Sequence, residues 1–200
     1  MKLSATRAQI LNPLQSVIGV VERRQTMPIL ANVLLSARNN RLSITGTDLE
    51  VELVASSEAS VQQAGELTVP GRKLLDIFRA LPEGVNVTLA TEGERVIVRA
   101  GRSRFTLSSL PAAEYPVVEE IHAQQTLTLP QPEFRRLIEK THFSMAQQDV
   151  RYYLNGLLVE ADGKVLRAVA TDGHRLAICE CSLESQANSP QQVIVPRKGV

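Results

Sequence analysis

The sequence predicts an α+β protein made of a repeated unit, each copy packing helices on antiparallel sheet. Three observations carry this. A helical stripe of Ile10, Leu14, Val17 and Val21, widened by Leu11 and Ile18, opens the chain. Short alternating runs rich in β-branched residues follow it. The whole pattern then restarts about 124 residues later.

The elements are taken in chain order. Thr6–Val21 reads as a helix, with Pro13 marking a bend or a late start. Ile29–Ala37, Leu42–Thr47 and Val51–Ala55 read as strands, with Asn39-Asn40 as a turn. Leu67–Val69 is a short strand ending at Pro70. A helix from Gly71 to Leu81 should bury Leu74, Ile77, Phe78 and Leu81, and Pro82-Glu83-Gly84 stops it. Val85–Ala90, Val96–Ala100 and Arg104–Ser108 complete the first set of strands. Leu110–Gln125, with two prolines and no period, reads as a linker.

The second set begins with a strand at Leu127–Pro130. A helix from Glu133 to Met145 should bury Phe134, Leu137, Ile138 and Thr141. Tyr152–Glu160, Val165–Thr171 and Arg175–Cys181 read as strands, and Asp172-Gly173 is a hairpin signal. Val193–Val195 again ends at a proline, Pro196. Five anchors tie the halves together: Leu3 with Leu127, Leu14 with Ile138, Asn32 with Asn155, Thr47-Asp48 with Thr171-Asp172, and Val69-Pro70 with Val195-Pro196. The first unit is therefore expected over 1–124. The second, over 125–200, is expected to be incomplete and the less stable of the two.

Composition sets bounds on function. Aromatics make up 4% and Trp is absent, so the cores must be aliphatic. Twenty-two basic and 21 acidic residues leave a net charge of +1, so charge acts through placement and not through excess. No signal-peptide pattern and no membrane-length apolar run is present, which points to the cytoplasm. Cys179 and Cys181 lie too close together on one strand to form a disulfide framework.

Enzyme signatures are missing. There is no G-x-S-x-G, phosphate-binding loop, H-E-x-x-H or G-x-G-x-x-G. Thr171-Asp172-Gly173-His174-Arg175 is the nearest thing to a catalytic cluster. A polar hairpin tip explains it better than a general base does. Cys179, Cys181 and His174 lack the fourth ligand that a tetrahedral metal needs, so neither metal nor cofactor is expected. The helices are acid-poor on their polar faces: Arg7, Gln9, Asn12, Gln15 and Ser16 on the first, Arg72, Lys73 and Arg79 on the second. Arg95 to Ala113 adds four arginines and no acid. Basic faces without base-reading motifs suit phosphate contact without sequence readout.

Several blocks are more specific. Thr45–Glu50, Val69–Lys73, Gly101–Phe105, Leu110–Pro116, Phe143–Ala146, Asp149–Gly156, Ala170–Leu176 and Val195–Gly199 resemble the bacterial sliding clamps, the beta subunits of DNA polymerase III. The resemblance covers the whole chain. It implies the DNA-clamp fold, with three similar domains per full-length chain and two chains closing head-to-tail into a homodimer ring. It also implies a non-catalytic processivity factor on double-stranded DNA, whose partners are the polymerase III alpha subunit, the clamp loader and other proteins bearing clamp-binding motifs. By the same resemblance DNA contact falls on Arg24, Gln148, Tyr152 and Tyr153, with Gln25 standing where a proline is expected. The partner-peptide pocket falls on Leu154, Thr171, Gly173, His174, Arg175 and Leu176. The dimer contact falls on Lys73, Ile77, Arg102 and Arg104.

Overall fold

The computed structural model describes residues 1–21, 27–116, 125–184, 187 and 189–200. Two compact units divide the chain, Met1–Glu119 and Glu120–Val200.

The first unit opens with strand β1 (Lys2–Thr6), ahead of the first helix. Helix α1 (Arg7–Val17) follows at once. Thr6 is its N-cap: the Thr6 hydroxyl accepts from the Gln9 N–H, and the Gln9 side chain accepts from the Thr6 N–H at 2.8 Å. Pro13 does not delay the helix start. It sits buried inside the helix, and its missing N–H leaves the Gln9 carbonyl without a helical donor. The Ser57 hydroxyl donates to that carbonyl instead.

The strands form two sheets, where sequence suggested one. β2 (Asn32–Arg38), β3 (Arg41–Thr47), β4 (Glu52–Glu58) and β6 (Gly65–Pro70) pair in the order β4-β3-β2-β6. β5 (Ser60–Gln63), β7 (Asn86–Glu92), β8 (Arg95–Ala100) and β9 (Ser103–Ser108) join β1 in the order β5-β1-β7-β8-β9. All pairings are antiparallel. β5 was missed because its Ser-Val-Gln-Gln carries no apolar alternation. Helix α2 (Gly71–Ala80) buries Leu74, Leu75 and Phe78; Ile77 is only partly buried. Both helices and both sheets supply one aliphatic core, from Leu3 and Ile10 to Val98 and Leu107.

Leu110–Pro116 is part of this unit and not a linker. The Leu110 N–H donates to the Thr68 hydroxyl at 3.0 Å, and Tyr115 is buried with its hydroxyl donating to the Thr45 carbonyl at 3.2 Å. Burial pushes the Tyr115 phenol up to about 12. Residues 117–124 lie outside the described ones.

In the second unit, Leu127–Pro130 is not a strand. Its counterpart β1 is held by β5 on one side and β7 on the other. Leu127 and Leu129 pack as an extended segment against the core. Helix α3 spans Gln131–Thr141 and ends in a 3-10 turn at His142–Ser144, earlier than expected. It buries Leu137 and Thr141, whereas Phe134 is exposed. β10 (Gly156–Asp162), β11 (Val165–Thr171), β12 (Leu176–Ser182) and β13 (Gln191–Pro196) pair antiparallel in the order β12-β11-β10-β13. That is the order of β4-β3-β2-β6 repeated.

Register confirms the repeat and corrects one anchor. Leu34 pairs with Thr45 as Leu158 pairs with Val169, and Thr47 with Glu52 as Thr171 with Leu176, all displaced by 124. Asn32 therefore matches Gly156, not Asn155. Both β2 and β10 begin later than expected, because 3-10 turns at Pro28–Ala31 and Tyr152–Asn155 precede them at the same 124-residue spacing. Gly156 is required where it stands. A Cβ there would lie 2.5 Å from Ile194 Cγ2 and 2.8 Å from the Val195 carbonyl oxygen. Among the described residues no helix is long and apolar enough to cross a membrane.

Candidate functional site

The second unit gathers most of the expected residues on two neighbouring segments. The first is the loop between α3 and β10. Asp149 organises it. The Asp149 N–H donates to Asn155 Oδ1 and the Asn155 amide donates back to the Asp149 carbonyl, both at 2.9 Å. The Asp149 carboxylate accepts from the Arg151 N–H at 2.8 Å and from both ends of the Arg151 guanidinium, at 3.0 and 2.9 Å. The Arg151 side chain and N–H together hold the Asp149 carboxyl down to about 2. This clasp turns Gln148 to φ +63° and leaves Tyr152 83% exposed. Tyr152 and Tyr153 meet edge to face at 5.9 Å, presenting two rings to solvent.

The second segment is the turn from β11 to β12. The Gly173 N–H donates to the Thr171 hydroxyl at 3.1 Å. The N–H groups of His174 and Arg175 donate to Asp172 Oδ1 at 3.0 and 3.1 Å. Gly173 takes φ +87°, a left-handed conformation that suits glycine. Arg175 Nε donates to Asp172 Oδ2 at 3.0 Å. The Asp172 carboxyl is held low by the backbone N–H of His174, then by that of Arg175. All of its contacts are structural. It does not hold the His174 ring, so no acid–base pair forms and the tip is a shaped surface.

The two segments touch. The Arg151 guanidinium lies where a side chain on Gly173 would go, 3.3 Å from an ideal Cβ. Arg175 stands over the exposed Phe143 ring at 5.9 Å. Leu176 and Ile178 are exposed on β12, whereas Leu154 is buried, its N–H donating to the Arg151 carbonyl at 2.9 Å. The structure thus unites Thr171, Gly173, His174, Arg175 and Leu176 on one turn and sets Gln148, Tyr152 and Tyr153 on the adjoining loop. Arg24 lies outside the described residues.

The sequence did not single out Asp149 or Phe143 as site residues, and it showed Asn155 only as an anchor of the repeat. The Asp149-x-Arg151 spacing was the available signal. The first unit repeats the turn without the glycine: Leu49, at φ +79°, follows Thr47-Asp48 with the same hydrogen bonds.

The acid-poor helix faces prove less open than expected. Arg7 donates to the carbonyls of Phe78 and Arg79, at 2.7 and 3.3 Å, closing the C-terminal end of α2. Arg72 donates to the Val21 carbonyl at 2.8 Å. Lys73 and Arg79 remain exposed on α2. Ile77 is half-buried. Arg102 is exposed, and Arg104 shares Glu92 with Arg99, at 3.4 and 3.8 Å.

Two family models match the chain. The N-terminal domain of the DNA polymerase III beta subunit matches residues 1–119, and the central domain of the same subunit matches residues 128–200. The chain belongs to the DNA polymerase III beta-subunit family. Beta sliding clamps of Pseudomonas putida and Escherichia coli K12 are 53% and 54% identical to it, over all of this chain and 55% of their own length. A crystal structure of the Pseudomonas aeruginosa sliding clamp bound to griselimycin superposes with a TM-score of 0.91 at 53% identity, over 54% of that chain. The Caulobacter crescentus beta subunit gives 0.92 at 44% identity, over 55% of that chain. The chain thus spans about half the length of the relatives it matches, and its α+β fold is that of the sliding clamps.

Proposed function

We propose that this chain is the leading part of a DNA sliding clamp, with residues 1–124 as the first domain and 125–200 as part of the second. In full-length form two chains close into a ring around duplex DNA and tether the replicative polymerase in the cytoplasm. The observation that carries this is the repeated sheet order with its repeated turn, matched in sequence by the first two domains of the family. The role is non-catalytic, as in the sliding-clamp family, and Asp172 serves to shape its turn.

Each surface has a physical task in this reading. Tyr152, Tyr153 and Gln148, with Arg24, touch DNA without reading bases, as a sliding contact requires. The turn from Thr171 to Leu176, with Leu154 beneath, receives short apolar peptide motifs of the polymerase III alpha subunit, the clamp loader and other partners. Lys73, Ile77, Arg102 and Arg104 form the first domain's side of the ring contact.

A chimera tests the peptide surface: this chain replaces the matching part of the Escherichia coli beta sliding clamp. Binding of a labelled apolar peptide containing Gln, read by anisotropy, should weaken about tenfold or more in Leu176→Ala, the loss of one buried anchor. Unchanged affinity in Leu176→Ala and in His174→Ala would overturn the assignment of this turn.

A further inference from the structure

The repeat isolates what is particular to the turn from Thr171 to Leu176. In the first unit the Leu30 N–H donates to the Met27 carbonyl at 3.1 Å, as the Leu154 N–H donates to that of Arg151. Met27 and Arg151 therefore hold the same backbone place, 124 residues apart. Leu49 likewise stands where Gly173 does, and it takes φ +79° while 56% exposed. A residue with a side chain can thus close this turn. The second unit instead omits the Cβ at 173 and lays a guanidinium over the bare backbone. Arg151 Nη2, Nη1 and Cζ lie 3.3, 3.7 and 3.9 Å from the place of an ideal Cβ.

The same arginine joins three parts of the unit. Its guanidinium is forked on the Asp149 carboxylate, at 3.0 and 2.9 Å, and covers Gly173. Its carbonyl holds the N–H of the buried Leu154. Tyr152 and Tyr153 lie between Arg151 and Leu154 in one 3-10 turn, Tyr152–Asn155, so a shift of that turn reaches both. Packing adds little to the clasp: Val150 is 97% exposed and Tyr152 83%. A loop held this way opens at low cost. Two states follow. In one, Arg151 is clasped on Asp149 and lies over Gly173. In the other, the clasp is open, Gly173 is uncovered and Leu154 loses its acceptor.

We infer that Arg151 is a positioning residue that couples the two surfaces, so that partner peptides are held more tightly when Tyr152 and Tyr153 rest on DNA. The inference rests on the clamp reading of both surfaces and adds a link between them. DNA needs the tyrosine pair presented as the clasp presents it. A peptide needs the turn shaped and Leu154 held. Both ligands therefore favour the clasped state, and each lowers the ordering cost of the other. The coupling is reciprocal: bound peptide strengthens the DNA contact by the same factor.

Peptide affinity of the Escherichia coli chimera tests this. Anisotropy is read for the free ring and for the ring loaded on nicked circular DNA and freed of clamp loader by gel filtration. Binding on DNA should be about fivefold tighter, a modest coupling. In Arg151→Ala the ratio of the two affinities should fall to about one. Arg151→Lys keeps the charge but not the planar fork, so it should not restore the ratio. A merely structural role for Arg151 would weaken both affinities and leave their ratio unchanged. A ratio of one in the unsubstituted chimera overturns the coupling, and so does a ratio that Arg151→Ala leaves intact. A chimera that binds no peptide in either state overturns instead the peptide reading on which the coupling rests.

Discussion

Replacing Ser57 with alanine isolates one consequence of Pro13. In α1 the Gln9 carbonyl should accept from the N–H of residue 13, which proline lacks. The Ser57 hydroxyl, from β4, takes that place. Removing it leaves a partly buried acceptor without a donor, a loss of about 1–2 kcal/mol. Pro13→Ala restores the helical N–H. On that background Ser57→Ala strands no acceptor and should cost only about 0.5 kcal/mol or less. A coupling of about 1 kcal/mol is therefore expected from the double-mutant cycle. Urea unfolding of the four proteins, followed by circular dichroism, measures it. Pro13→Ala also changes helix propensity and packing, but those terms cancel in the cycle. An equal cost of Ser57→Ala on both backgrounds would refute the reasoning, because the hydroxyl would then not be replacing the missing N–H.

Three further outcomes follow from the second unit. Gly156→Ala drives a methyl group into Ile194 and the Val195 backbone, so β13 must shift; a loss of about 2–3 kcal/mol is expected by thermal unfolding, and a neutral result would contradict the packing of β10 on β13. The Asp149 carboxyl is depressed in the fold from its ordinary 3.8 to about 2. Its clasp on Arg151 is therefore fully present above the ordinary value and is lost as pH falls through about 2. NMR of the Tyr152 and Tyr153 amides should show an ordered loop at neutral and mildly acidic pH and its release only in strong acid; release above the ordinary aspartate range would contradict the clasp. Finally, among the described residues the first unit's main core holds twenty-five buried residues and the second's ten, four of them alanine. Slow hydrogen exchange should concentrate in β2, β3 and β8, and equal protection of β10 and β11 would count against the difference.

Much of the fold was legible because the burial patterns are regular. β3 alternates almost strictly, and α2 has apolar residues on one face only. The early strand starts at Ile29 and Tyr152 failed for a shared reason. Apolar residues continue through a 3-10 turn, and alternation alone does not separate that turn from a strand. β1 and β5 failed because pairing, not pattern, makes them strands. Leu127–Pro130 shows the converse, a strand-like pattern with no strand partner among the described residues. At the site, Thr171-Asp172-Gly173 was legible as a turn because its side chains make its hydrogen bonds locally. The Asp149–Arg151 clasp and its contact with Gly173 were not, since they depend on how two segments meet. The basic helix faces were over-read, because composition cannot show that Arg7 and Arg72 end on carbonyls.

We propose that this chain is part of a ring that holds DNA by enclosing it. The direct measurement is retention of the Escherichia coli chimera, loaded by the clamp loader onto nicked circular DNA and followed by gel filtration. The chimera is expected to stay with the circle and to fall away once the DNA is cut to a linear form. A folded, dimeric chimera that is not retained on the circle, or that stays equally on linear DNA, would contradict it.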